Sequence, residues 1–288
     1  MLSGIYLELG NLTDALSYGK KALDVQIAIY GENNSRVSNT YTILGSIYGS
    51  MGNYQKDLEY NLKALDIVNK IPGEDLSNVA SIYNNIAIAY SYLNEPEKGL
   101  DFMNQALELR ISCLGEDHPD TASAYNNAGF IYRELGQHDI AIELMQKAYK
   151  AQMTALGEEH PDTANTLINI AFSYYQYGDY EKALDYCNRG LDIRIKTLGE
   201  DHPDVASAYG ILGGAYEGLG DNESGLKCQL KQLGIRIKSL GEQHPDTIKA
   251  FNNAGATYET LNDYQKAIEY RAKAYELLSP LSITLLFD

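Results

Sequence analysis

The chain has 288 residues, of which 44% are hydrophobic, and its 23 Lys and Arg residues against 39 Asp and Glu residues give a formal net charge of −16. Such an acidic protein repels a phosphate backbone, which argues against sequence-independent nucleic-acid binding. No stretch reaches the ~18 consecutive apolar residues of a membrane span, the N-terminus lacks a signal-peptide pattern, and the three cysteines form no disulfide framework. We therefore expect a cytoplasmic protein without membrane or nucleic-acid partners.

The sequence repeats with a period of 42 residues, so it predicts an array of units rather than one or two ordinary domains. The first marker of this period is a tyrosine, found at Tyr6, Tyr48, Tyr90, Tyr132, Tyr174, Tyr216 and Tyr258. The second marker is a Gly-Glu pair, whose glycines are Gly31, Gly73, Gly115, Gly157, Gly199 and Gly241. Independent positions that share one period indicate an array of seven units.

Each unit has the pattern of two helices, A and B, joined by a tight turn. In residues 121–162 the apolar positions, such as Tyr125 and Gly129, recur at spacings of three and four, which is typical of an amphipathic helix. Gly136 interrupts the first stripe, as a residue just past a helix end does. A second stripe follows, and Pro161 then opens the next helix A, where its missing N–H is harmless.

Small residues at fixed positions predict close packing within each hairpin. Gly129 on helix A and Ala141 on helix B lack bulk, so the two backbones can approach closely. Asp57 and Gly99 depart from the alanine at the Ala141 position, and Gln232 departs from the alanine at the Ala148 position. Because of these departures we expect the second and sixth units to be less well packed.

The pattern Tyr125-x-x-Ala128-Gly129-x-x-Tyr132, followed by Ala141 and Ala148, resembles the tetratricopeptide repeat. The 42-residue period and the connection LGEDHPDTA at residues 114–122 are similar to the variant of kinesin light chains. This resemblance implies an all-α fold, a right-handed superhelical solenoid of about seven antiparallel helix hairpins. The predicted array spans residues 1–278, with units at roughly 1–35, 36–77, 78–119, 120–161, 162–203, 204–245 and 246–278.

The two ends of the array are atypical. The first unit begins within its helix A, and residues 279–288 form an apolar C-terminal tail after the last helix B. Solenoids usually end in a polar cap, so we expect a fragment of a longer protein. The tail is expected either to pack on the final helix or to support self-association.

Residues that could carry catalysis do not converge in the predicted fold. The histidines at the start of four A helices lie roughly 10 Å apart in a stack of helices, whereas zinc ligands converge at about 2.0–2.3 Å. We interpret them as helix-end residues, and they are His118, His160, His202 and His244. Cys187 falls on a buried stripe and is expected to be an apolar filler. The sequence predicts no enzyme, no cofactor and no metal site.

Asparagines recur in the middle of helix A, although Asn is a mediocre helix former. They are Asn84, Asn85, Asn126, Asn127, Asn169, Asn252 and Asn253. In repeats of the resembled type helix A lines the concave face, and an Asn amide offers both a donor and an acceptor. Asn85, Asn127 and Asn169 could therefore form a ladder that holds about six residues of extended peptide. In the alternative, these amides bond between adjacent helices and only stiffen the stack.

Further along the same face, Phe130 and Phe172 predict anchor pockets for apolar side chains, with Arg133 and Tyr175 beyond them. The alternative for these aromatic residues is ordinary packing between A helices. Kinesin light chains grip acidic, Trp-containing motifs with basic residues. Because we place only Arg133 and Lys249 as basic residues on this face, the acidic chain favours a neutral or basic protein or peptide partner.

Taken from the sequence, the best-supported function is a protein–protein interaction scaffold that binds an extended peptide segment in its concave groove. A second hypothesis is that the array senses a signal for a larger effector, a protease or an NTPase, whose catalytic domain lies outside these residues. A third is a structural array that associates with itself through the apolar tail.

Overall fold

A computed structural model describes residues 2–71, 73 and 75–284, with side chains for all of them except Glu8 and residues 279–284. Within these ranges the chain forms fourteen helices and no strand. The contacts divide it into two compact units, Met1–Ala155 and Leu156–Asp288, which are described separately. In both units the odd-numbered helices are A helices and the even-numbered ones are B helices.

The first unit contains four helical hairpins, each made of an A helix and the B helix that follows it. The helices are α1 (Leu2–Glu8), α2 (Leu12–Tyr30), α3 (Ser35–Ser50), α4 (Tyr54–Val68), α5 (Leu76–Tyr92), α6 (Pro96–Leu114), α7 (Pro119–Glu134) and α8 (His138–Ala155). Each B helix also packs against the next A helix, and A helices of successive hairpins touch. Buried clusters therefore run between hairpins; one of them joins Ala87, Met103 and Ile131.

The second unit contains three hairpins, in which each B helix again packs against the A helix that follows it. Its helices are α9 (Pro161–Tyr177), α10 (Tyr180–Leu198), α11 (Pro203–Gly218), α12 (Asn222–Leu240), α13 (Pro245–Thr260) and α14 (Tyr264–Thr284). A buried cluster joins α9, α10 and α11 through Ile168, Cys187 and Val205. The all-α repeat fold predicted from the sequence is confirmed.

The histidines cap the A helices, as the sequence predicted. In four connections the His ring accepts a hydrogen bond through Nδ1 from the backbone N–H of the Asp two residues later; the distance is 3.1 Å for His118 and 3.2 Å for His160, His202 and His244. The proline between them occupies the first helical position. This satisfies one of the N–H groups that a helix start leaves without a partner.

The hairpin turns require a left-handed backbone at one repeat position. Gly136 adopts φ +72° there, and the same position in other hairpins is occupied by Asn94 (φ 62°) and Asn262 (φ 61°). Gly and Asn are the residues that adopt this conformation most readily. The predicted helix stop at Gly136 is confirmed.

Close approach within the hairpins is also confirmed. A Cβ on Gly129 would lie 2.9 Å from the carbonyl oxygen of Ala141, so no side chain fits between these two backbones. Gly99, one of the departures, packs even closer, since its Cβ would lie 2.6 Å from the carbonyl oxygen of Ala87. Glycine at this position therefore brings α5 and α6 together.

The predicted apolar tail, residues 279–288, falls largely outside what the structure describes. The backbone of α14 continues as helix to Thr284. Residues 285–288 and the side chains of residues 279–284 lie outside the described part. Self-association through this segment stays a prediction.

Candidate functional site

In the first unit, five polar side chains form a chain of hydrogen bonds that starts on α4 and crosses α5 to α7; we call it the amide chain. Asn127 donates to Asn84 Oδ1 over 2.9 Å, and Asn84 donates to Asn85 Oδ1 over 3.3 Å. Asn85 donates to Asn61 Oδ1 over 3.4 Å, and Asn61 donates to Asp57 Oδ1 over 2.7 Å. Every amide therefore donates in the direction of Asp57.

Asp57 in its ionised form sets this direction because a carboxylate only accepts hydrogen bonds. Asp57 is 7% exposed, and Asn61 beside it is fully buried. Burial raises the pKa of Asp57 to about 7, and the hydrogen bond from Asn61 opposes this rise. The space for both side chains comes from α3, where a Cβ on Gly45 would lie 2.4 Å from Asn61 Nδ2 and one on Gly49 2.7 Å from Asp57 Oδ2.

The amide chain bears on the two interpretations of the asparagines. The bond between Asn127 and Asn84 joins adjacent A helices, as the stiffening alternative expects. Asn127 is only half-buried, and its bond to Asn84 uses one of its two N–H groups. Its carbonyl oxygen accepts no hydrogen bond from any described residue. The side chain can therefore still offer one donor and one acceptor to a ligand.

The other predicted asparagines are distributed over both units. Asn126 is half-buried on α7 in the first unit, and Asn169 is half-buried on α9 in the second. Asn252 and Asn253 are exposed on α13. These three helices are all A helices, so the asparagines occupy equivalent positions in different repeats.

Phe130 and Arg133 belong to an aromatic row in the first unit. The rings of Tyr54 and Tyr92 stack with centroids 4.3 Å apart, Tyr92 contacts Phe130 at 5.6 Å, and the guanidinium of Arg133 lies 5.1 Å from the Phe130 centroid. Phe130 is thus packed between neighbouring side chains, whereas Tyr92 stays 53% exposed. The sequence reasoning missed Tyr92, which has no aromatic counterpart in the other A helices and so no periodic signal.

Arg133 is not an exposed basic group, contrary to what its placement on the predicted groove suggests. It is 8% exposed, and its Nη2 lies 3.5 Å from Glu134 Oε1. Burial lowers the pKa of Arg133, and the charge of Glu134 opposes this. Much of its charge is therefore already compensated within the first unit.

In the second unit, Phe172 and Tyr175 are near neighbours on α9, with ring centroids 6.2 Å apart. Tyr175 extends toward α11, where a Cβ on Gly214 would lie 2.8 Å from its ring. Tyr180, 5.9 Å from Tyr175, lies against Gly218 in the same way. Glycines on α11 therefore make room for two tyrosine rings.

Beside Tyr175 the second unit contains a cavity of about 410 Å³, which we call the polar cavity. Its lining comes from four helices and consists of Tyr175, Gly210, Gly214, Glu217, Asn222, Gln229, Gln232, Asn253, Ala256, Thr257 and Thr260. Gln229 donates to Glu217 Oε1 over 2.8 Å, and the Thr257 hydroxyl contacts the same oxygen and, at 2.7 Å, Gln229 Oε1. The cavity is thus polar, and Glu217 is its one charged lining residue.

The sequence raised two features that could carry chemistry, the recurring histidines and Cys187. No three His, Cys, Asp or Glu side chains in this part of the chain are close enough to hold a metal ion. Cys187 is fully buried, and burial raises the pKa of its thiol to about 12, so it packs as an apolar side chain, as predicted. None of the described helices combines the length and apolar character that crossing a bilayer requires.

Similar proteins share the fold. A signal transduction ATPase with numerous domains from Pyrococcus horikoshii, which has a tetratricopeptide repeat sensor, is 20% identical, with a TM-score of 0.69 over 100% of this chain and 42% of its own. A kinesin-light-chain-like protein of Podospora anserina with nearly identical repeats is 21% identical (TM-score 0.63; 72% of this chain, 98% of its own). A Rap protein complexed with Competence and Sporulation Factor is 18% identical (TM-score 0.68; 97% and 74%).

No curated protein sequence matches the chain significantly. The family model described as tetratricopeptide repeat matches it in overlapping segments at residues 1–70, 47–112, 78–154, 120–196, 162–224 and 204–279. These matches extend along almost the entire sequence and follow the hairpins. The chain therefore belongs to the tetratricopeptide repeat family, which implies a protein-interaction scaffold.

Proposed function

We propose that this protein binds an extended segment of a partner protein along its A helices and that side-chain amides hold the backbone of that segment. The observation that carries the proposal is the state of Asn127. Its amide is fixed by the 2.9 Å bond to Asn84, yet it retains a carbonyl oxygen and one N–H. A peptide group in extended conformation presents the complementary pair, one N–H and one C=O.

The amide chain supports this role because it orients Asn127 before a ligand arrives. Four amides and one carboxylate fix one another, so little side-chain freedom remains to be lost on binding. The exposed edge of Tyr92 lies on the same helix as Asn84 and offers an apolar surface to the side chains of the ligand. In the second unit Asn253 has the equivalent repeat position and lines the polar cavity.

Charge favours a neutral or basic partner. The net charge of −16 attracts basic segments over long distances. Arg133 is buried and paired with Glu134, so it offers an acidic ligand little attraction. Three free cysteines, with the thiol of Cys113 exposed, support a cytoplasmic setting.

The test compares Asn127→Ala with a matched control, Asn104→Ala, which removes an exposed amide from the B helix α6. A partner is first isolated by pull-down with the intact chain and identified by mass spectrometry, and its affinity is then measured by calorimetry. Loss of two hydrogen bonds of roughly 0.5–1.5 kcal/mol each weakens binding about five- to a hundredfold. The control leaves the affinity unchanged.

The melting temperature separates this role from stiffening alone. Asn127→Ala removes one half-exposed bond to Asn84 and introduces a better helix former, so the melting temperature changes little. A clearly lowered melting temperature together with an intact affinity would mean that Asn127 only holds α5 and α7 together.

A second candidate function is that of a sensor array within a larger effector enzyme, such as a protease or an NTPase. Its support is the Pyrococcus horikoshii ATPase, of which an array like this one accounts for 42% of the length. The genomic reading frame around the sequence tests it: an adjoining nucleotide-binding or protease domain in the same frame supports this candidate. A stop codon on both sides without such a domain refutes it.

A further inference from the structure

The sixth hairpin, α11 and α12, departs from its neighbours at the positions that face the groove in the proposed function. Gly210 stands at the repeat position that carries Asn in α5, α7 and α13, and Gly214 stands at the position of Phe130 and Phe172. Two side chains are therefore missing from one A helix. The polar cavity of about 410 Å³ lies over both glycines.

Helix α12 supplies a glutamine, Gln232, at a repeat position that is small in the other B helices. Gln232 has the repeat position of Ala148 and Ala274, and Gln229 that of Met145. The Gln232 amide extends to Gly210, since a Cβ there would lie 2.3 Å from Gln232 Nε2. If the exchange only compensated volume, Leu or Met would fill the space without burying a polar group.

Gln232 is a buried amide without a partner. It is 5% exposed, lines the cavity, and forms no hydrogen bond with any of the described residues. Nearby Gln229 and Thr257 are equally buried but satisfied by Glu217. Buried amides are nearly always hydrogen-bonded to protein or water. The Gln232 amide opens onto the cavity, so it is available to a ligand that enters there.

The charge of the cavity defines that ligand. Glu217 Oε1 is engaged by Gln229 and Thr257, whereas Oε2 accepts no hydrogen bond within the described residues. No Lys or Arg belongs to the lining, so the carboxylate lacks a counter-ion there. The ring of Tyr175 forms one wall and provides a surface on which a planar cation can stack.

We propose that the polar cavity binds the side chain of an arginine in the partner segment, an inference that rests on the proposed peptide-binding function. A guanidinium is planar and carries five N–H donors, which suit the free oxygens of Glu217 and Gln232 and the face of Tyr175 at once. A lysine ammonium carries the same charge but is not planar, so it cannot stack on the Tyr175 ring in the same way. The cavity thereby selects for arginine at one fixed position of the bound segment.

The experiment begins with a phage-displayed library of random linear peptides selected on the full chain, and the selected sequences are aligned. We expect arginine at one conserved position. A synthetic peptide is then compared with its citrulline analogue, which has the same shape but no charge. Citrulline should weaken binding at least about tenfold, and lysine should weaken it by a smaller factor.

Two protein variants assign this preference to the cavity. Glu217→Gln retains the oxygen that accepts from Gln229 and Thr257 but removes the charge, and Glu223→Gln is a matched control on the exposed start of α12. Gly210→Asn combined with Gln232→Ala restores the pair found in α13 and α14 and removes the Gln232 amide from the cavity wall. Glu217→Gln should weaken binding of the arginine peptide about as much as the change to citrulline weakens binding to the unmodified chain. Binding of the citrulline peptide to Glu217→Gln should be only a little weaker than with either change alone.

The outcomes separate this inference from the function on which it rests. Selected peptides without a fixed arginine, or an arginine effect that is unchanged by both cavity variants, overturn the cavity assignment and leave peptide binding standing. If the library yields no binder on the intact chain, the peptide-binding function itself fails, and the assignment fails with it. The citrulline comparison on the unmodified chain needs no variant to fold.

Discussion

We expect Asp57 to make the stability of the protein depend on pH, and replacing it with Asn isolates that contribution. The carboxyl group is almost fully buried between α3 and α4, and burial raises its pKa to about 7 from the ordinary value of 3.8. Asn retains an oxygen that accepts from Asn61 Nδ2, and it resembles the protonated carboxyl in shape. Asp57→Asn therefore keeps the amide chain and removes only the buried charge.

The size of the effect follows from the two pKa values. Because the folded chain binds this proton more tightly than the unfolded chain, the stabilising proton is fully present below about pH 4 and is lost as the pH rises to about 7. The difference corresponds to about 4 kcal/mol at most, since one pKa unit is about 1.4 kcal/mol. Above about pH 7, Asp57→Asn is thus expected to be more stable than the wild type by up to this amount.

Urea unfolding followed by circular dichroism at about pH 5 and about pH 8 measures this difference. The advantage of Asp57→Asn over the wild type should be about 2–3 kcal/mol larger at the higher pH. An NMR titration of the Asp57 carboxyl carbon should have its midpoint near 7. As a control, Asp66→Asn removes an exposed carboxylate from the same helix, whose ion pair with Lys70 contributes less than about 1 kcal/mol.

The reasoning is refuted if Asp57→Asn changes stability equally at both pH values. That result would mean that Asp57 has nearly the same pKa in the folded and unfolded chains. Water or a cation would then have to reach a carboxyl group that the structure places 7% exposed.

Two further predictions concern the hairpins. His202→Ala removes the cap that accepts from Asp204 N, and it should lower the free energy of unfolding by about 0.5–2 kcal/mol in urea, whereas Lys227→Ala on the exposed surface should change it little. Gly129→Ala forces a Cβ to 2.9 Å from the Ala141 carbonyl oxygen and should cost about 1–3 kcal/mol, whereas Gly234→Ala, with open space around it, should stabilise by about 0.5–1 kcal/mol. Equal effects of the two glycine substitutions would contradict the close approach.

The sequence predicted the repeating parts of the fold because they depend on local rules at fixed spacing. Gly136 needs a left-handed backbone, and His118 and its equivalents need only the N–H two residues ahead. Neither requirement involves a distant residue. Such features can be derived from one unit and then transferred along the array.

The polar interior was not predictable in the same way because it depends on contacts between helices. Asp57 and Gln232 were recognised as departures and interpreted as signs of looser packing. The structure places Asp57 in a hydrogen-bonded chain and Gln232 at a cavity wall, and the looser packing stays a prediction. The hydrogen-bond partner of each amide depends on the direction of side chains on different helices, as the bond between Asn85 and Asn61 shows. A periodic pattern carries no information on departures from the period.

Arg133 illustrates the same limit on the predicted groove. Its repeat position faces the same direction as Tyr175 and Glu217, but the three side chains differ in exposure and partners. Arg133 lies over Phe130 and beside Glu134, whereas Glu217 accepts from Gln229 and Thr257. The repeat position alone therefore predicts the face of the helix and not the chemistry presented there.

Both polar departures occur where a hairpin gives up apolar contacts, so stability should vary along the array. In a repeat protein, stability is approximately a sum of unit and neighbour terms, and weak units open first. The hairpin α3–α4 buries Asp57 and Asn61, and α11–α12 buries Gln229 and Gln232, whereas Met145 and Cys187 occupy the Asn61 position in α8 and α10.

Backbone amides in α7–α10 should therefore exchange hydrogen most slowly in native-state mass spectrometry, and those of α3–α4 and α11–α12 should exchange faster. Lowering the pH from about 8 to about 5 should slow opening in α3–α4 but not in α11–α12, because the buried carboxyl of Asp57 lies on α4 and regains its proton over that range. Uniform exchange across all these helices, or an equal response of the two hairpins to pH, would show that buried polar groups do not set local stability here.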